Sequence, residues 1–333
     1  MKEAEFWKPL VNEIVQCNAC NRHCAIKPEE VGKCRVRKNV SGKLVSLVYG
    51  KTLTLTIDPI EKKPLFHFRP GSHCSGVSTY GCNFSCLHCQ NYHISQQFTE
   101  QSIENVKETS PEEIVKNALE NNADGIAYTY TEPTIFVEYA LDTMKLAKEK
   151  GLYNVWVSNG YMTKEVADAI LPYLDAINID LKGNEKFYSE VCGEIRIDVV
   201  KENIKYFNEK GVHVEVTNLI IPGYNDTEDD FRKAAEFIKS VNPDVPLHFT
   251  RFFPMNKMDY LPPTDASKIA AAKKIAEEIG VHYVYEGNLG GEENTKCKKC
   301  GNLIVKRIGY DINASGLKGK NCSKCGEENN FKL

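Results

Sequence analysis

The stretch Gly81-Cys82-Asn83-Phe84-Ser85-Cys86-Leu87-His88-Cys89-Gln90-Asn91 puts three thiols into one short loop with the spacing CxxxCxxC. A closed structural metal site takes four protein ligands, whereas three leave one iron of a [4Fe–4S] cube open to an outside ligand. S-adenosylmethionine suits that position, because its amino and carboxylate groups chelate a metal. An electron delivered to its sulfonium then releases a 5′-deoxyadenosyl radical. A cluster that only transfers electrons would carry a fourth protein ligand, and the one neighbouring cysteine is Cys74.

The remaining cysteines divide into two closed sets and two singletons. Cys17, Cys20, Cys24 and Cys34 form one set, for which structural zinc is the expectation and an auxiliary iron–sulfur cluster the alternative. Cys297, Cys300, Cys322 and Cys325 form two CxxC knuckles, each followed by glycine, with the spacing of a zinc ribbon. Cys74 and Cys192 read as small buried hydrophobes. Tight grouping points to metal ligation in a reducing compartment rather than to disulfides.

The chain has 333 residues, 42% hydrophobic and 26% charged, enough for one large domain with small appendages. Its start, Met1-Lys2-Glu3-Ala4-Glu5, leads into no long apolar run, so neither a signal peptide nor a membrane span is expected and the cytoplasm is the expected location. Both ends are basic: seven Lys/Arg against two acids from Cys17 to Lys43, and nine against three from Asn294 to Leu333. The rest of the chain, with 26 basic and 40 acidic residues, carries a formal −14. Local compensation around thiolate-bound metal explains the basic ends, and an acidic partner such as RNA is the sharper reading.

Between the cysteine sets, β-branched runs alternate with amphipathic segments, as parallel βαβ units require. Strands are expected at Val77–Tyr80, Gly125–Tyr130, Asn154–Ser158, Ala176–Leu181, His213–Ile221 and Leu247–Phe253, with His282–Tyr285 closing the series. Helices are expected at Pro111–Asn121, Thr134–Lys150, Lys164–Tyr173, Val199–Lys210, Thr227–Val241 and Asp265–Ile279, several opened by capping sequences such as Ser110-Pro111-Glu112-Glu113. The fold class is therefore α/β, a partial (β/α)6 barrel over residues 76–293. It carries an N-terminal four-cysteine module (1–43), a small β connector (44–75, with a hairpin or meander at Leu44–Leu55) and a C-terminal zinc ribbon (294–333). In such a barrel the site lies at the C-terminal ends of the strands. Those ends supply Glu132, Asn159, Asp180, Lys182, Thr217, His248 and Arg251, groups suited to the ribose, amino group and carboxylate of a nucleoside amino acid.

These motifs resemble the radical S-adenosylmethionine superfamily, and the strand ends Ser158-Asn159-Gly160 and Asp180-Leu181-Lys182 resemble its pyruvate formate-lyase activating enzyme branch. Asp58 to Leu65, Tyr128 to Pro133, Asn178 to Gly183 and His248 to Pro254 resemble the AmmeMemoRadiSam system radical enzyme. That resemblance implies a [4Fe–4S] cluster on Cys82, Cys86 and Cys89 and S-adenosylmethionine contacts from Glu132, Asn159, Asp180 and Lys182, with His248 a further candidate. It also implies an electron donor such as ferredoxin or flavodoxin, and Memo-like and AMME-type protein partners. His88 stands where the activase branch usually has an aromatic residue, and Thr131-Glu132 replaces its Gly-Gly-Glu segment. Three functions follow: hydrogen abstraction from a small molecule, peptide or nucleic acid; activation of a glycyl-radical enzyme; and a non-enzymatic metal-binding adaptor for RNA or protein.

Overall fold

The computed structural model describes residues 2–333. Its centre is a sheet of strands β1 (Thr54–Pro59), β2 (His73–Ser78), β3 (Gly125–Tyr128), β4 (Tyr153–Ser158), β5 (Ala176–Asp180), β6 (His213–Ile220), β7 (Leu247–Arg251) and β8 (Val284–Gly287), side by side in chain order. From β2 to β8 every pairing is parallel, and β1 runs antiparallel to β2. The crossovers are α1 (Pro111–Glu120), α2 (Val137–Glu149), α3 (Lys164–Ile170), α4 (Ile197–Glu209), α5 (Glu228–Val241) and α6 (Ala266–Ile279). The expected partial barrel is thus present, with β1 as an additional edge strand.

Alternation of side chains along the strands builds two apolar layers. Ile126, Trp156, Ile177, Ile179, Val214 and Val216 pack with the helices in the main core. Ala127, Val155 and Ala176 face the other way, against Ile60, Leu65 and Phe68 of the segment between β1 and β2. That segment fills the concave side of the sheet.

Local chemistry sets several boundaries. Ser110 opens α1 through a reciprocal cap, its backbone N–H donating to Glu113 Oε2 at 2.6 Å while its hydroxyl accepts the Glu113 N–H at 3.3 Å. Strand β3 stops at Tyr128 rather than Tyr130, because Tyr130 has φ 66°, a costly conformation for an aromatic residue that turns the chain out of the sheet. Residues Pro133–Phe136 form a 3₁₀ turn before α2.

Both cysteine modules grip the barrel. Arg37 of the first donates to Glu138 of α2 at 2.5 and 3.0 Å, a pair at most 1% exposed. In the C-terminal module Phe331 stacks on His67 at 4.1 Å, the Lys332 N–H donates to the His67 carbonyl at 2.9 Å, and Arg307 donates to the Phe66 carbonyl at 2.5 Å. The ribbon therefore holds the concave-side segment in place. Several basic residues of the two ends pair with carboxylates within the molecule, Lys38 with Glu100, Lys298 with Asp244 and Lys320 with Glu328 among them. No helix among the described residues is long and apolar enough to cross a membrane.

Candidate active site

The three-cysteine loop follows β2 and is shaped by the N-terminal module. Gly81 has φ 97°, and a β-carbon there would run into Val36 and the Cys34 carbonyl, so glycine is required for both conformation and space. On the other flank Arg22 bridges the loop to the segment after the 185–190 helix, donating from Nε to the Asn83 carbonyl at 3.0 Å and from Nη2 to the Gly193 carbonyl at 2.5 Å. The backbone N–H groups of Ser85 and Leu87 bond to the carbonyls of Cys192 and Val191 at 3.1 and 3.0 Å.

The thiols receive donors of the kind a thiolate requires. Cys82 Sγ accepts from the Phe84 N–H at 3.4 Å and from Asn159 Nδ2 at 4.0 Å, and Cys89 Sγ lies 3.3 Å from Ser95 Oγ. A hydrogen bond from Cys192 holds the Cys86 thiol below its ordinary value against the effect of burial. Cys192, read from sequence as a small hydrophobe, therefore belongs beside the loop. His88 is buried and pushed down to about 3 by burial, with the Lys182 charge adding to the effect. Its Nδ1 and the Asn83 Nδ2 are buried polar atoms with no protein partner. Soft thiol ligands with orphaned polar atoms on the same loop fit an iron–sulfur group held at three corners.

Four of the expected strand-end residues converge on this loop. Glu132, after β3, is 3% exposed; its carboxylate accepts the Asn159 N–H at 2.7 Å, the Ser158 hydroxyl at 2.8 Å, and the Thr134 N–H and hydroxyl at 3.1 and 2.5 Å. Asn159, after β4, donates from Nδ2 to Asn83 Oδ1 at 2.7 Å and so links the carboxylate to the cysteine loop. Asp180, at the end of β5, accepts from Lys182 Nζ at 2.7 Å. Burial works against the Lys182 charge, yet Asp180 and the thiols of Cys86 and Cys192 hold its pKa well above the usual lysine value. Burial also raises Glu132, and it raises Cys82 with the Glu132 charge adding to it, so this side of the site favours a cation.

His248 and Arg251 do not join the group. His248 is the second residue of β7; its Nε2 lies 2.7 Å from Glu215, and its ring packs between Phe66 and Tyr285. Arg251 donates to the Thr264 carbonyl at 2.8 Å. Register sets His248 level with Thr217 and, through it, Asp180, as the strand-end reading supposed, but its ring is taken up by Glu215 and Phe66.

A second polar cluster lies beside the site. Asp58 accepts from Lys62 at 2.6 Å, from Lys63 at 2.8 Å and from the Tyr130 hydroxyl, while the Tyr130 carbonyl accepts from Asn91 Nδ2 at 2.8 Å. The segment Asp58 to Leu65 showed its motif in sequence but not this destination.

Comparison with known proteins gives a consistent result. Residues 77–238 match the family model described as the Radical SAM superfamily. An uncharacterized protein of Methanocaldococcus jannaschii is 46% identical over 310 residues, 92% of each chain. A second protein of that organism, provisionally named as a glycyl-radical enzyme activating enzyme, is 32% identical over 206 residues, 60% of this chain and 74% of its own. Among solved structures, a radical SAM methyltransferase from Sphaerobacter thermophilus superposes with a TM-score of 0.50 at 14% identity over 71% of each chain, a likeness of fold.

Proposed function

This chain belongs to the Radical SAM superfamily, and from that premise we propose that it binds a [4Fe–4S] cluster through Cys82, Cys86 and Cys89 and cleaves S-adenosylmethionine to abstract hydrogen from a substrate. When bound, the cluster supplies one electron to the sulfonium, whose carbon–sulfur bond breaks to give methionine and the 5′-deoxyadenosyl radical. The chain's own part is to hold and orient. The Glu132 carboxylate receives the cofactor's amino group, Lys182 its carboxylate, and Asn159 and Asp180 the polar edge of the nucleoside. The observation that carries this reading is the double attachment of Asn159, by its N–H to Glu132 and by its side chain to Asn83 beside Cys82.

The ribbon cysteines Cys297, Cys300, Cys322 and Cys325 are proposed to hold zinc, with all four sulfurs within 4.8 Å of one another. Resemblance over Asp58–Leu65 and His248–Pro254 supports Memo-like and AMME-type partners, and the chemistry needs a low-potential donor of the ferredoxin or flavodoxin class. The thirteen unpaired cysteines suit the reducing cytoplasm.

A second reading, activation of a glycyl-radical enzyme, is favoured by the name of the 32% identical relative. Anaerobic incubation with S-adenosylmethionine and dithionite tests the shared step: wild type releases 5′-deoxyadenosine and Cys86→Ala does not. Release by neither protein, at full iron content, refutes both readings. A glycyl radical signal on a copurifying protein selects the second.

A further inference from the structure

Tyr130 holds a backbone conformation that aromatic residues seldom adopt, with φ 66°. The Thr131 N–H donates to the Thr129 carbonyl at 2.8 Å, so Tyr130 is the middle of a γ-turn of the rare, strained hand. Both flanks of the turn are pinned to the chain leading into the cysteine loop. The Thr129 N–H donates to the Val77 carbonyl at 3.0 Å, and the Thr131 hydroxyl to the Thr79 carbonyl at 2.9 Å. The turn therefore sets where Glu132, the next residue, leaves the sheet. Strain of this kind persists only where surrounding contacts over-determine it, and it gathers at functional sites.

The Tyr130 side chain makes those contacts. It lies over Gly76 of β2, where a β-carbon would stand 3.1 Å from the ring and 3.4 Å from the hydroxyl. Gly76 shares the concave face with Cys74, so the ring lies on that side of the sheet. The hydroxyl donates to Asp58 Oδ2 and accepts from Lys63 Nζ at 3.1 Å, with Thr56 Oγ1 3.3 Å away. Lys63 is 1% exposed, and its ammonium stands 4.4 Å from the centre of the ring. Burial opposes the Asp58 charge, yet the bonds from Lys62, Lys63 and Tyr130 hold its carboxyl well below the usual range. At its other end Tyr130 accepts, through its carbonyl, the side-chain N–H of Asn91 at 2.8 Å, two residues beyond Cys89. One residue thus ties edge strand β1, the end of the cysteine loop and the Glu132 segment together.

We propose that Tyr130 is a positioning residue, locked into its turn by Asp58 and Lys63 so that the Glu132 carboxylate meets the amino group of S-adenosylmethionine at a fixed place beside the cysteine loop. The inference rests on the proposed radical function and gives the segment Asp58–Lys63 a task in it: the ion pair acts on the cofactor through Tyr130 and Glu132, without touching the cofactor itself. A purely structural role would cost stability and leave affinity alone. A positioning role changes affinity, and does so only while the Glu132 charge is present.

Equilibrium binding of S-adenosylmethionine to the anaerobically purified, cluster-loaded full chain tests this by a double-variant cycle. Tyr130→Phe keeps the ring over Gly76 and removes the hydroxyl, and Asp58→Asn removes the charge that holds it. Each should raise Kd roughly five- to tenfold at full iron content. In a Glu132→Gln background the same changes should raise Kd less than about twofold, because the carboxylate they position has already lost its charge. Should one variant fail to take up iron, the other carries the test. An unchanged Kd, or an equal rise in both backgrounds, overturns the assignment while leaving the radical function intact. Wild type that binds no S-adenosylmethionine at full iron content refutes the radical reading itself, and this inference with it.

Discussion

Glu132 Oε2 lies 2.7 Å from the Asn159 N–H, a bond that fastens the end of β3 to the end of β4 beside the cysteine loop. The carboxylate is anchored before any ligand arrives. Changing Glu132→Gln keeps the shape and removes the charge, so affinity for S-adenosylmethionine should fall by roughly ten- to a hundredfold, the worth of one charged hydrogen bond. Equilibrium binding to the cluster-loaded protein measures this, and an unchanged Kd would remove Glu132 from the site.

Arg37 and Glu138 form a buried pair between the N-terminal module and α2. Removing one partner strands the other charge, so Glu138→Ala should lose about 3–5 kcal/mol. Arg37→Met with Glu138→Leu should be more stable than the single variant, because neither buried charge is left alone. Denaturant unfolding compares them; a double variant as unstable as the single one would show that packing, not stranded charge, sets the loss.

The concave-side segment predicts an acid response. Burial pushes His67 down to about 3, against an unfolded value of about 6.5. Between those values the unfolded chain holds a proton that the folded chain lacks, so this contribution is complete above about pH 6.5 and is lost as pH falls toward 3. His88 acts in the same sense. His67→Leu should flatten the stability profile between pH 6 and 5 by up to about 1.4 kcal/mol per pH unit. An unchanged slope would mean that His67 titrates normally in the folded chain.

The ribbon's contact with that segment gives a further test. Phe331 is 6% exposed and stacked on His67, so Phe331→Ala should cost about 3 kcal/mol. Removing metal from the ribbon by chelation should free the neighbouring backbone and admit chymotrypsin at the Phe68–Arg69 bond, whose N–H bonds the Lys332 carbonyl at 2.7 Å. Resistance to cleavage after metal loss would show that the segment stands without the ribbon.

Residues grouped in sequence or set at strand ends were legible as candidates, and partnerships made inside the sheet were not. Cys82, Cys86 and Cys89 declare themselves by spacing, and Glu132, Asn159, Asp180 and Lys182 by their places at the ends of successive strands. Glu215 did not: it draws His213 and His248 to its two oxygens at 3.0 and 2.7 Å, a grouping fixed by the pairing of β6 with β7. These bonds hold its carboxyl well below the usual range although burial opposes its charge. Strand β1 was missed because Thr54-Leu55-Thr56-Ile57-Asp58-Pro59 ends in a proline that only an edge strand tolerates. The role of Arg22 depends on two distant carbonyls, at Asn83 and Gly193, for which a sequence carries no mark.

The central claim is a cluster held at three corners with its fourth iron open to S-adenosylmethionine. Electron paramagnetic resonance of the reduced protein tests it most directly. Saturating S-adenosylmethionine should shift the resonance of the cluster on Cys82, Cys86 and Cys89, and Lys182→Met should require a higher concentration for the same shift. A resonance that S-adenosylmethionine leaves unchanged in fully loaded protein would contradict the account.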